Sequence, residues 1–225
     1  MRCVLLHGFA GDPASWEDVA IDADRIALPG HLGGGPVADD WASNLAAVAA
    51  RIGPCDVVVG YSLGARVALG LVIAGHARRA VLISGNPGIA DAERAARRAG
   101  DAAWAQLARR RGIAPFLEAW QAQPLFASQQ RAPAARRAAR QARRLALDPA
   151  QLARSLETMG LAEMPDYRAV VDHRFALIAG ADDAKFVALN RALPAPLELI
   201  PGSGHDPLLE QPAALTQAID RALHR

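Results

Sequence analysis

Lysine is nearly absent from this chain. Lys185 is the one lysine among 25 Lys and Arg residues, and the rest are arginine. A GC-rich coding sequence produces that skew by itself, because its codons favour Arg and Ala together. Cysteine is scarce as well: Cys3 and Cys55 each open an apolar, strand-like run. Two such residues cannot form a disulfide framework or a zinc ribbon, and they read as buried thiols of a cytoplasmic protein. No apolar stretch reaches the roughly 20 residues of a membrane span, so no membrane insertion is expected. The opening "MRCVLLHGF" meets His7-Gly8 before it reaches signal length, so no targeting segment is expected either. Charge of one sign is also missing. The formal net charge is +2, too balanced to imply a nucleic-acid partner. The densest basic stretch, "RRAARQARR" (136–144), carries no aromatic residue and reads as a solvated helix face. Neither a phosphate-binding glycine loop nor a His/Cys ligand spacing appears. No metal and no cofactor are therefore expected, and activity should survive chelation.

What is present is an ordinary globular mixture of 52% hydrophobic and 21% charged residues in 225. It suffices for one sizeable core, and nothing in it fixes an oligomeric state; a monomer is compatible. Short apolar runs alternate with helical patterns. Strand-like runs cover Arg2 to Leu6, Arg25 to Leu28, Asp56 to Val59, Ala80 to Ser84, Arg174 to Ala179 and Leu197 to Ile200. Helices are expected at Pro13 to Val19, Asp39 to Arg51, Leu63 to Gly75, Ala184 to Leu193 and Pro207 to His224. Several strands are continuously apolar, as strands buried on both faces of a parallel sheet must be. The alternation predicts an α/β domain over residues 1–225, with a mostly parallel sheet of about six strands and helices on both faces. The rhythm breaks at about 86–168, an Ala/Arg-rich region punctuated by prolines. There the pattern predicts several short helices inserted as a cap.

The stretch "VVVGYSLGARVALGLV" turns from an apolar strand into a helix at Ser62. Gly60 and Gly64 flank it, the G-x-S-x-G pattern of a nucleophile elbow. Such a turn strains the serine backbone, presses the flanking residues together, and exposes the hydroxyl beside the N–H groups of a helix start. A serine nucleophile needs a base, and the base needs a carboxylate to orient it. After later strands the chain offers Asp183 in "FALIAGADDAKF" and His205 in "LELIPGSGHDPLLEQP". Asp183 could instead cap the following helix, with Asp182 taking its place; His205 could be a surface-loop residue; His31 is a rival base after an early strand. The backbone N–H groups of Phe9 and Leu63 are the expected oxyanion donors, and His7 is expected to hydrogen-bond within its own loop.

The segments "LHGFAGDPASW", "LPGH", "GYSLGARVAL", "SGNPGI", "FLEAWQAQPLFAS", "GADDAKF" and "GH…LLEQP" occur in this order. By them the chain resembles the α/β-hydrolase superfamily over nearly its whole length. Within it, the chain resembles the 2-succinyl-6-hydroxy-2,4-cyclohexadiene-1-carboxylate synthases of menaquinone biosynthesis. The resemblance implies a lyase that eliminates pyruvate from 2-succinyl-5-enolpyruvyl-6-hydroxy-3-cyclohexene-1-carboxylate, with Ser62, His205 and Asp183 acting as a base. It implies a small anionic substrate whose carboxylates are held by Arg66, Arg97 and Arg144, with Arg140 and Arg143 as alternatives to the last. Tyr61 and Trp120 would line the pocket, or would be packing aromatics. A small carboxylesterase or acyl hydrolase with the same triad is the second reading, and a non-catalytic binding protein the third. An Arg-bearing cap suits an anionic substrate better than a neutral ester.

Overall fold

In a computed structural model that describes residues 1–224, six strands form one sheet. They are β1 (Cys3–Leu6), β2 (Asp24–Ile26), β3 (Cys55–Tyr61), β4 (Ala77–Ile83), β5 (Phe175–Gly180) and β6 (Leu197–Ile200). Their spatial order is β2-β1-β3-β4-β5-β6, and every adjacent pair is parallel. After β2 the chain returns to the other side of β1, so the order reverses between β1 and β3. In open α/β sheets ligands bind at the carboxyl ends of strands beside such a reversal. Ser62 follows β3 there, and Phe9 follows β1.

Both faces of the sheet are covered, which is why the strands read as unbroken apolar runs. Val4, Leu6, Val58 and Leu82 point to one side with Val67 and Leu71 of α2 (Leu63–Ile73) and Val48 of α1 (Trp41–Ile52). Leu5, Val57, Val59 and Val81 point to the other, with Trp16 and with Leu215 and Ile219 of the C-terminal helix. Cys3 and Cys55 are both buried and free. Among the described residues no helix is long and apolar enough to cross a membrane.

Between β4 and β5 lie α3 (Asp91–Arg111), α4 (Ile113–Gln121), a 3-10 segment Pro124–Arg131, α5 (Ala134–Arg144) and α6 (Pro149–Thr158). The expected short helices are there, but α3 differs from them and runs for 21 residues. Its ends explain the length. Asp91 and Glu93 occupy the first turn and Arg109, Arg110 and Arg111 the last, complementing the helix dipole, and Gly112 stops it at φ 78°. Of these, α3, α4 and α6 pack together with Ala10 in a separate cluster that includes Ala105, Phe116, Leu117, Leu152 and Leu156.

Two other boundaries differ from expectation. The predicted helix at Pro13 to Val19 is a single 3-10 turn, Pro13–Trp16. The predicted last helix is divided into α8 (Pro207–Glu210) and α9 (Pro212–Leu223), after α7 (Ala184–Arg191). Gln211 stands between the two at φ −141°, ψ 56°, outside the helical region that a following proline disfavours.

Candidate active site

Ser62 sits at φ 53°, ψ −107°, a left-handed conformation that costs a residue with a side chain on the order of 1–2 kcal/mol. The neighbours hold it there by backbone-to-backbone packing. A Cβ on Gly60 would lie 2.1 Å from the carbonyl oxygen of Gly64, and one on Gly64 would lie 2.2 Å from that of Leu6. The turn therefore fits only glycine on both sides. Leu63 is the first residue of α2, so its N–H is one of the donors a helix start leaves free. Phe9 lines the same cavity from the loop after β1.

His205 reaches Ser62 from the loop after β6. The end of β5 touches that loop directly: a Cβ on Gly180 would lie 1.9 Å from the carbonyl oxygen of Gly204. The His205 Nδ1–H donates to Asp183 Oδ2 at 2.8 Å, and the Ser62 hydroxyl lies 3.3 Å from Nε2. A carboxylate can only accept, so the proton is on Nδ1 and the Nε2 lone pair faces the serine. Asp183 also caps α7, its Oδ1 accepting from the Phe186 N–H at 3.2 Å. The two readings of this residue are compatible, because each oxygen takes one partner. Asp182 is exposed and pairs with Arg131 instead. His205 is buried, so it is no surface-loop residue. The ring of Phe186 packs 4.5 Å from it, centroid to centroid.

The other two histidines near the site are neutral braces. The His7 Nδ1–H donates to Gly8 O at 2.8 Å, and Nε2 accepts from the Leu28 N–H at 3.0 Å. The His31 Nδ1–H donates to Pro29 O at 3.0 Å, and Nε2 accepts from the Ala10 N–H at 3.1 Å. Each ring thus ties its own loop to the other's. Burial pushes His7 down to about 4; burial, then the neighbouring His7, pushes His31 down to about 3. His31 has no free nitrogen and is removed as a rival base.

A cavity of about 360 Å³ opens over Ser62. Tyr61 and Trp120 both line it and both pack: the Tyr61 ring lies 5.8 Å from His205, and Trp120 lies 4.9 Å from Phe9 and 5.0 Å from Trp104. Arg66, Arg97 and Arg144 line it too. Arg97 is paired with Asp101 at 2.8 Å. Arg66 has no ion-pair partner among the described residues; its Nη1 donates to Met159 O at 2.8 Å and its guanidinium stands over the Trp41 ring. Burial, then the adjacent Arg97 cation, pulls Arg66 down to about 9. Among the described residues Arg144 donates to Ala10 O alone, and burial, then Arg140, pulls it down to about 10. Both remain charged at neutral pH, and both are cations that an anion would stabilise.

The structure separates the three arginines that the sequence left as alternatives. Arg144 faces the cavity, Arg143 pairs with Asp12 and Glu17, and Arg140 pairs with Asp206. Arg136 pairs with Asp18. The solvated-face reading of 136–144 is corrected accordingly: four of its arginines bond to the loops beneath α5. Sequence reasoning missed Lys185, Trp104, Phe126 and Phe186 as lining residues. The isolated lysine in "DDAKF" was the available signal for Lys185. Nothing in the sequence marked the aromatics, which come from three separate elements. Among the described residues no cluster of His, Cys, Asp or Glu could hold a metal ion.

Comparison with known proteins places these features. A family model described as "Alpha/beta hydrolase family" matches residues 3–218. A 2-succinyl-6-hydroxy-2,4-cyclohexadiene-1-carboxylate synthase of Klebsiella pneumoniae (strain 342) is 36% identical over 236 residues, covering 98% of this chain and 92% of that protein. The structure of MenH from S. aureus aligns with a TM-score of 0.88 at 26% identity, covering 100% of this chain and 93% of that one. A thermophilic esterase from Thermogutta terrifontis aligns with a TM-score of 0.73 at 20% identity, covering 100% of this chain and 89% of that one, which shows the shared fold alone.

Proposed function

The chain belongs to the alpha/beta hydrolase family and within it to the 2-succinyl-6-hydroxy-2,4-cyclohexadiene-1-carboxylate synthases, and from that premise we propose that it eliminates pyruvate from 2-succinyl-5-enolpyruvyl-6-hydroxy-3-cyclohexene-1-carboxylate. It is a carbon–oxygen lyase of menaquinone biosynthesis. The observation that carries the substrate class is the pair of half-buried cations, Arg66 and Arg144, which face the cavity with no ion-pair partner among the described residues. The substrate brings three carboxylates, on the ring, the succinyl arm and the enolpyruvyl arm. A neutral ester would bring neither cation a counter-charge in a site that burial makes costly for charge.

The double bonds of substrate and product define the electron path. Removing the ring C2 proton creates the C2–C3 double bond, shifts the existing one to C4–C5, and expels the C5 oxygen as enolpyruvate. Ser62 Oγ takes the C2 proton while passing its own to His205 Nε2, and the enolpyruvate oxygen leaves with the C–O electron pair. Asp183 keeps the His205 Nδ1–H in place and stabilises the imidazolium that forms. C2 is adjacent to the succinyl ketone, so negative charge develops on that ketone oxygen. The Phe9 and Leu63 N–H groups receive it, each such donor being worth about 3–4 kcal/mol of barrier. No acyl-enzyme is needed. Arg66, Arg144 and the rim cation Lys185 hold the carboxylates, Arg97 supports them from its pair with Asp101, and the helices of 91–158 act as a cap over the ring.

The decisive experiment compares pyruvate release from this substrate with hydrolysis of a neutral aryl ester, in wild type and in Arg66→Ala. Pyruvate release is expected to dominate. Arg66→Ala should lower its kcat/KM by roughly 10–1000-fold, as loss of one or two charge-assisted hydrogen bonds would. Any Ser62-dependent ester turnover should change little. Equal losses on both substrates would make Arg66 structural and remove the support for a carboxylate substrate.

A further inference from the structure

Asp206 directly follows His205 and is fully buried, yet it does not line the cavity over Ser62. Its Oδ2 is paired with Arg140 of α5, itself buried, and also accepts from Gln129 Nε2 at 3.3 Å. Its Oδ1 caps α8 by accepting from the Leu209 N–H at 3.2 Å. The same loop is held at a second point. Glu210 accepts from the Gly204 N–H at 2.8 Å and from the Ser128 hydroxyl at 2.9 Å. Arg140, Gln129 and Ser128 all belong to the inserted segment between β4 and β5, whereas Gly204, Asp206 and Glu210 flank the base. Arg140 is absent from the lining of the cavity over Ser62; it faces an adjoining cavity that shares Gln121, Phe126 and Arg144 with it.

We propose that Arg140 is a positioning residue: through Asp206 it fixes the loop that aims His205, so that α5 must be docked before the base is competent. The proposal rests on the reading of Ser62, His205 and Asp183 as the catalytic set. Its logic is geometric. The Ser62–Nε2 contact is already long at 3.3 Å, and a shift of a few tenths of an ångström in the loop would break it. A bidentate-capable guanidinium pinned to a buried carboxylate resists such a shift, and residues 140 and 206 are brought together only by the tertiary fold. The neighbouring arginines of α5 act on the opposite loop: Arg143 bonds Asp12 and Arg144 bonds Ala10 O. One helix therefore spans the base on one side and the expected oxyanion loop on the other.

The test uses Arg140→Met, Arg140→Lys, and the double variant Arg140→Met/Asp206→Asn, which leaves no unpaired buried charge if the single variant fails to fold. Two readouts are needed: steady-state pyruvate release, and the low-field proton resonance of the His205 Nδ1–H, assigned by its loss in His205→Gln. The resonance requires no substrate, so it stands even if the lyase reading fails. Arg140→Met, or the double variant in its place, is expected to lower kcat about 10–100-fold with less than about a threefold change in KM, and to broaden or lose the resonance. Arg140→Lys should recover part of both. A folded variant with an unchanged resonance and kcat, or one whose only change is a lower Tm, overturns the proposal. So does a rise in KM at constant kcat, which would make Arg140 a substrate ligand.

Discussion

Two serines of this molecule share a rare backbone conformation at the ends of adjacent strands. Ser62 has φ 53° and Ser84 has φ 49°. Their side chains have opposite circumstances: Ser62 meets His205, while the buried Ser84 hydroxyl, which lines the same cavity, has no hydrogen-bond partner among the described residues. Strain at Ser62 accompanies a hydroxyl that faces an imidazole, whereas leaving the Ser84 hydroxyl unpaired costs the fold stability. Ser62→Ala is expected to lower turnover by about three orders of magnitude or more with the fold intact, and Asp183→Asn to approach that loss because the imidazole tautomer is no longer fixed. Ser84→Ala should leave most of the turnover and raise stability by up to about 1 kcal/mol in urea unfolding. If Ser84→Ala proves the more damaging to catalysis, the assignment of the reacting hydroxyl is wrong. Asp183 shows how far residue-level reading reaches. Its spacing before a helix suggested a cap and its place after a late strand suggested a partner for a histidine, and the folded side chain accepts from the Phe186 N–H with one oxygen and from His205 with the other.

The elements are tied together at points where only glycine fits. β3, its elbow and α2 meet β1 at Gly64, where a Cβ would lie 2.2 Å from Leu6 O. The obstacle is backbone, which cannot move aside as a flexible side chain can. Gly64→Ala is therefore expected to destabilise the protein by about 3 kcal/mol or more, the upper end of overpacking costs, and to displace Ser62. Chemical unfolding together with pyruvate release measures both effects, and a Gly64→Ala protein of wild-type stability would contradict this account of the elbow. α5 illustrates the reverse case, an element misread from its composition. Its arginines recur three and four residues apart, which places Arg136, Arg140, Arg143 and Arg144 along one side. Periodicity gives that side but not what it faces. The partners Asp12, Asp18 and Asp206 lie 131, 118 and 66 positions away in the chain.

At the scale of the whole molecule, the pair His7 and His31 makes acid stability a property of the fold. Both rings are buried and neutral, held down to about 4 and about 3, while an unfolded chain titrates them near 6.5. Between pH 6.5 and about 4 the unfolded state binds protons that the folded state refuses, so stability falls as pH falls. Above about 6.5 neither histidine contributes a slope. By pH 5 the loss should be roughly 2 kcal/mol per histidine, read from urea unfolding between pH 7.5 and 5. A flat profile across that window would refute the neutral, doubly bonded state of these rings. The sequence by itself determined the alternating α/β order, the elbow at Ser62 and the Ser–Asp–His succession. These follow from local backbone requirements and from apolar periodicity, which neighbouring residues express directly. It also determined that arginines would crowd the inserted segment. Only the tertiary structure decided which of them met an acid and which stayed free, since a long side chain on a helix reaches many partners and its choice depends on residues far away in the chain. Arg140 met Asp206, Arg143 met Asp12, and Arg66 and Arg144 were left facing the cavity, where burial outweighs the more distant acids and makes them ready for an anion.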